Sequence, residues 1–203
     1  MCMASFAIFS GDNAKENINQ LESIFQLSHD RLITDTVMRQ QFQECSDKGN
    51  KYCSSVLGSI YFYVKNYSKA YPLLVKSEGV LVNYKNGNIF PSEQNLGFMY
   101  NDGLGVLQNK DKAIQHYKKC AAVGVDACAY NISVIYNNKS IHNDKYYNLI
   151  QSYAWLQVSR ALGNNEEIET RIESIKKIIG AQKINEAEEL SRKICSTITA
   201  CLQ

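Results

Sequence analysis

Two stretches, "CSDKGNKYC" at 45–53 and "CAAVGVDAC" at 120–128, each hold two thiols eight positions apart, with a glycine four after the first. Thiols so spaced could ligate a metal or join as a disulfide. Structural zinc normally uses close C-x₂₋₄-C pairs or nearby histidines. Here no C-x₂-C occurs, and His29, His116 and His142 stand far apart, so no metal and no cofactor is expected. On an unbroken helix, residues eight apart are separated by about 12 Å along the axis. A disulfide needs Cα atoms within about 7 Å. A glycine that ends one helix and turns the chain into the next brings the second thiol within reach. The spacing thus admits two states: a bridge at each corner, or four buried thiols packing as small hydrophobes. Cys195 and Cys201 are six apart and can pair only if the last helix ends between them. Cys2 is left over.

Other chemistry is thinly represented. Ser174-Ile-Lys-Lys177 fits the S-x-x-K tetrad of serine acyl enzymes, but the companion Ser-Asp-Asn and Lys-Thr-Gly elements are missing. "NDGLGVLQNK" at 101–110 is glycine-rich without the G-x₄-G-K-[ST] spacing of a phosphate loop. No HExxH and no G-x-S-x-G occurs. His116 reads as a packed or surface residue. The expectation is a protein without catalytic residues.

The elements that must hold the cysteines follow from a repeat. "SSVLGSIY" ends at Tyr61, "EQNLGFMY" at Tyr100 and "AYNISVIY" at Tyr136, with Leu57, Leu96 and Ile132 in register. The steps of 39 and 36 residues sum to 75, the displacement that carries one cysteine pair onto the other. Within "EQNLGFMYNDGLGVLQNKDKAIQHYKKCAAVG", Leu96, Met99 and Tyr100 share one helical face, and Gly97 leaves room for a neighbouring helix. Asp111 is the expected cap of a second helix carrying Ala113, Ile114 and Tyr117, and Gly124 its left-handed end. Each unit is a helical hairpin that cannot bury its own apolar face, so neighbours must stack. The 203 residues are 45% hydrophobic with a net charge of +2 and two prolines, Pro72 and Pro91. That is core enough for an all-α array and too balanced for a nucleic-acid footprint. No apolar run approaches the roughly 18 residues of a membrane span.

Leu96-Gly97, Tyr100, Gly103-x-Gly105-Val106, Lys112-Ala113, Tyr117 and Ala121-Ala122-x-Gly124 together resemble the Sel1-like repeat family, a branch of the tetratricopeptide-like α/α solenoids. The preceding unit keeps Leu57-Gly58, Tyr61 and Lys69-Ala70. The following one keeps Ala129, Tyr136 and "YAWLQVSRALGN", with Trp155 eight before Gly163 as His116 is before Gly124. The resemblance covers roughly residues 31–165 and implies a superhelix of stacked helical hairpins. Helices at about 14–27 and 166–194 read as caps, so 14–195 forms a single solenoid. Residues 1–13 read as a flexible N-terminus or signal-peptide remnant, and 196–203 as a tail. The family's cysteine-rich secreted branch ties successive helices with C-x₇-C pairs, which implies bridges Cys45–Cys53 and Cys120–Cys128 and a periplasmic or secreted bacterial setting. Ser77 falls near the cysteine register with no partner, so a bridge is missing there.

By analogy with tetratricopeptide repeats, positions beside the core aliphatics line a concave groove. These are Ser55, Ser59, Phe62, Gln94, Phe98, Asn101, Tyr130, Val134 and Asn137. Tyr61, Tyr100 and Tyr136 are expected in the core. The insertion at 78–92, with Tyr84, Ile89 and Phe90, is a second candidate surface. The implied role is an exported module binding a protein or peptide: an adaptor, a host-facing factor or a toxin-immunity protein. No nucleic acid and no membrane insertion is expected. The resemblance also carries an alternative, a β-lactam or peptidoglycan-fragment binder with weak hydrolase activity.

Overall fold

The computed structural model describes residues 36–80, 92–138, 144–163, 166–198 and 201. The expected helix at 14–27, Cys2, His29, His142 and most of the 78–92 insertion lie outside the described residues. Among the described residues there are eight helices and no strand: α1 Thr36–Asp47, α2 Lys51–Tyr63, α3 Tyr67–Lys76, α4 Ser92–Asp102, α5 Lys110–Ala122, α6 Asp126–Asn137, α7 Lys145–Leu162 and α8 Glu166–Cys195. None of these helices is long and apolar enough to cross a membrane. The chain divides into two compact units after Ser92.

In the first unit α2 packs on both α1 and α3. Helix starts are set by asparagines whose side chains take up backbone N–H groups otherwise left without partners. Asn50 accepts from the Tyr52 and Cys53 amides, and Asn66 from that of Lys69. Phe42, Cys45, Cys53, Val56, Leu57 and Ile60 form the core. Each large apolar side chain fully removed from water there contributes about 1.5–3 kcal/mol. Gly58 faces α3 so closely that a Cβ would stand 2.9 Å from Leu74 Cγ. A glycine is therefore required for the two helices to meet at this distance.

In the second unit α5 packs on α6, α6 on α7 and α7 on α8. Leu96, Met99, Ala113, Ile114, Tyr117 and Ile132 are buried, as the 3.6-residue periodicity predicts. Tyr100 and Tyr136 are buried too, whereas Tyr61 is half-buried with Lys69 Nζ 5.3 Å above its ring. Gly97 is in the core position expected of it: a Cβ would fall 2.5 Å from Tyr117 Cδ1. The cap of α5 is Asn109, whose side chain accepts from Lys112 N, rather than Asp111. Asp111 lies one residue into the helix, where its charge favours the N-terminal end of the dipole. The stretch 166–194 is not one straight helix. Gly180 takes φ 74°, ψ 163° and divides α8 into two arms. A side chain would be strained in that conformation, and the missing Cβ removes the strain.

All three cysteine pairs stand at disulfide distance. Cys45 and Cys53 join the last turn of α1 to the first turn of α2, with Cα atoms 5.9 Å apart. Cys120 and Cys128 join α5 to α6 in the same way, also at 5.9 Å. Between them Gly49 and Gly124 adopt φ of 91° and 94°, making the corner that an L-residue would resist. Cys195 closes α8 onto Cys201, Cα atoms 5.3 Å apart, around Ile198, which is buried.

Candidate functional site

The nine residues expected along a groove separate into three groups. Ser55 and Ser59 do not face open surface, because every residue of α2 from Cys53 to Ile60 is buried. A helix enclosed on both sides by α1 and α3 has little exposed face, so offsets from a core leucine no longer predict exposure. The Ser55 hydroxyl is 2.8 Å from that of Ser92, which is in turn 2.8 Å from that of Ser77. Ser77 donates onward to the carbonyls of Leu73 and Leu74. This chain of hydroxyls is structural. Phe62 is half-buried, its ring edge-on to Tyr63 and Tyr67.

A second group supports the fold of the other unit. Phe98 lies edge-on to Tyr117, centroids 5.8 Å apart, so it seals the α4–α5 packing. The Asn101 side chain accepts from Lys110 Nζ and donates to Asp102. Its carbonyl accepts from Gln108 and Lys110. Asn101 therefore clamps the glycine-rich loop, in which Gly103 and Gly105 both have positive φ. Gln94 is half-buried. His116 stacks on Tyr100 with centroids 5.5 Å apart, and Lys112 Nζ lies 5.1 Å from the same ring.

The third group comes together. Val134 and Asn137 on α6 line a cleft of about 290 Å³ with side chains from α7 and the first arm of α8. Buried Leu156 and Ile175 form its apolar floor, and exposed Ile178 its edge. Its polar lining includes Asn137, Ser152 and Arg171. Tyr130 stands beside it: its hydroxyl donates to Glu167 Oε1 at 2.6 Å, and the Arg171 guanidinium lies 5.3 Å above its ring. Arg171 also forms an ion pair with Glu167 at 2.9 Å. The Tyr130 hydroxyl and the guanidinium hold the exposed Glu167 carboxyl below its ordinary range, while partial burial pushes the Tyr130 phenol up. The arrangement is closed and electrically neutral.

Ser174 lines the same cleft, but its hydroxyl donates to the Thr170 carbonyl at 2.8 Å and Lys177 is exposed. An S-x-x-K pair one helical turn apart is thus present, with its serine proton committed to the backbone. Sequence reasoning did not single out Ser152 or Arg171. A trace of Ser152 was available: it follows Ala113 by 39 residues, as Gly163 follows Gly124, so a hydroxyl replaces an alanine of the repeat. Arg171 carries no comparable mark, since it reads as one charge in a solvated helix.

A shallower groove of about 330 Å³ lies elsewhere in this unit, between Lys118, Trp155, Leu190, Lys193 and Ile198. Lys118 Nζ sits 5.9 Å from the Trp155 ring and covers part of it. Among the described residues, no group of three or more His, Cys, Asp or Glu side chains is placed to hold a metal ion. Neither a family model nor a curated protein matches the sequence.

Proposed function

We propose that the chain is an exported, disulfide-stabilised α/α solenoid of the Sel1-like, tetratricopeptide-like kind that binds a protein or peptide partner. The observation that carries this reading is the placing of Cys45–Cys53 and Cys120–Cys128. Both pairs stand at the corner where one helix gives way to the next, at the same Cα separation. Structural disulfides persist in oxidising compartments and are rare in a reducing cytosol, so the setting is periplasmic or secreted. The partner surface is the cleft around Val134 and Asn137, flanked by Tyr130. The Val134→Asp/Asn137→Lys variant is the test. It keeps the wild-type circular dichroism spectrum and loses the partner that wild-type protein captures from periplasmic extract. Retained capture, or free thiols at all six described cysteines after denaturation without reductant, would overturn the reading. Ser174 in the same cleft is the one observation favouring the alternative, a β-lactam or peptidoglycan-fragment binder. Nitrocefin turnover lost in Ser174→Ala and spared in Val134→Asp/Asn137→Lys would establish it instead.

A further inference from the structure

Cysteines recur at 45, 120 and 195, in two steps of 75 residues. The first two stand in the last turn of a helix, four before a glycine, and pair with a cysteine in the first turn of the next helix. Cys195 also ends a helix, but Thr199 stands where the glycine would, and the paired Cys201 is six positions on instead of eight. Among the described residues no helix follows Cys195. The packing differs accordingly. Cys45, Cys53, Cys120 and Cys128 are at most 3% exposed, whereas Cys195 and Cys201 are only partly buried.

A disulfide opens when a thiolate reaches one of its sulfurs, so access decides which bridge exchanges first. Sulfurs enclosed between packed helices are shielded from that attack until the helices part. What the accessible bridge holds in place is Ile198. This side chain is 2% exposed and lines the groove of about 330 Å³ together with Trp155 and Leu190. The amides of Ile198 and Cys201 donate to the carbonyls of Cys195 and Ile198. Two backbone bonds and the bridge thus close a turn around one apolar side chain, beside exposed Ser196 and Thr197. Without the bridge, the cost of ordering the turn is set against the burial of that single isoleucine. Trp155 is buried and is the only tryptophan in the sequence, so its emission reports on Ile198.

We infer that Cys195–Cys201 is a thiol–disulfide exchange site for a dithiol reductant, opened while both corner bridges stay closed, and that its opening frees Ile198 from the Trp155 groove. One thiolate of the reductant attacks a sulfur of the bridge, forming a mixed disulfide and releasing the other cysteine as a thiolate, which takes up a proton. The second thiol of the reductant, deprotonated, attacks the mixed disulfide and releases the remaining cysteine. The bridge gains two electrons and two protons, and the dithiol becomes a disulfide. The corner bridges keep their helices joined throughout, which confines the change to the end of α8. The site shares no lining residue with the cleft around Val134 and Asn137.

The test treats the oxidised full chain with limiting dithiothreitol, quenches with iodoacetamide and maps the labelled cysteines by mass spectrometry, with Trp155 emission followed in parallel. Cys195 and Cys201 are labelled about tenfold faster than the four corner cysteines, and the emission maximum moves to longer wavelength over the same time course. Cys195→Ser/Cys201→Ser shows the long-wavelength emission from the start and no further shift while the corner bridges stay closed. Labelling of a corner pair first or at an equal rate would overturn the inference. Free thiols at Cys195 and Cys201 before treatment would do the same. Selective labelling with unmoved Trp155 emission, or wild-type emission in the double serine variant, would overturn the release of Ile198.

Discussion

The hydroxyl of Ser77, the residue that caps α3, lies 2.8 Å from the hydroxyl of Ser92, the last residue of the first unit, and both side chains are buried. Ser92 precedes Leu96 by four residues, as Cys53 precedes Leu57 and Cys128 precedes Ile132. Ser77 follows Ala70 by seven residues, as Cys120 follows Ala113. A pair of hydroxyls therefore occupies the place of a pair of thiols, oxygen for sulfur at both ends. A hydrogen bond links these two positions, whereas the pairs flanking Gly49 and Gly124 stand at disulfide distance.

If the two serines stand in the thiol register, Ser77→Cys/Ser92→Cys oxidises to a third corner bridge. Mass spectrometry of the unreduced protein shows the loss of two hydrogens. The urea midpoint rises by an amount corresponding to about 3 kcal/mol, the closure entropy of a loop of this length. Two free thiols after air oxidation would refute the equivalence.

Cys45→Ser/Cys53→Ser removes a bridge around a short loop inside a core. The expected loss is roughly 2–3 kcal/mol of unfolding free energy, measured by urea denaturation under oxidising conditions. The same substitution leaves the wild type and the variant alike once both are fully reduced. An undiminished midpoint under oxidising conditions would show that the bridge is not closed.

Gly97→Ala places a methyl against the Tyr117 ring, a rigid neighbour held between helices. The better helix propensity of alanine, about 1 kcal/mol, is outweighed by overpacking, and the net loss is about 1–3 kcal/mol. Gly58→Ala meets Leu74 at its Cγ, Cδ2 and backbone nitrogen, 2.9 to 3.1 Å away, a milder overlap than the one with the ring, so its loss is smaller. Thermal melts of the two variants rank them. The reverse order would mean that the ring yields more readily than the leucine.

Tyr117 is buried and its hydroxyl has no hydrogen-bond partner among the described residues. Burial first, and the Asp102 carboxylate second, push its phenol well above the ordinary tyrosine value of 10.0. The folded state thus holds a proton that the unfolded chain gives up. The stability tied to it is complete below about pH 10 and is lost as pH rises beyond. Tyr117→Phe lacks this term. Its urea midpoint at about pH 8 stays within about 1 kcal/mol of wild type, and it falls less between about pH 8 and pH 11. Parallel declines would place the alkaline sensitivity elsewhere.

Much of this architecture could be read from residue types, because apolar periodicity and glycine corners act locally. Leu57, Leu96 and Ile132 are fully buried, and the bridged glycines fall where the C-x₇-C spacing puts them. Ser77 looked partnerless for a simple reason. Its partner is fifteen positions away instead of eight, since the insertion separates the two helices. Ser55 was misplaced because exposure depends on what lies on both sides of α2, which no single periodicity encodes. Asn109 and Asp111 are both good caps two positions apart, and propensity alone does not choose between them. The apolar series Ile168, Ile172, Ile175, Ile179 runs up to Gly180 in helical register, so the break there was hidden by a pattern that looks continuous. The cleft at Asn137 and Ser152 draws on three helices, and only packing assembles it.

The three bridges share one property with a bearing on how the molecule is made. Each described cysteine is paired with the next one along the chain: 45 with 53, 120 with 128, 195 with 201. Of the many pairings these six thiols allow, this is the one in which every bond spans eight residues or fewer, so each can form once its own short stretch of chain has emerged. No later segment is awaited and no earlier bond need be undone. Oxidation of these three pairs can then keep step with synthesis along the chain.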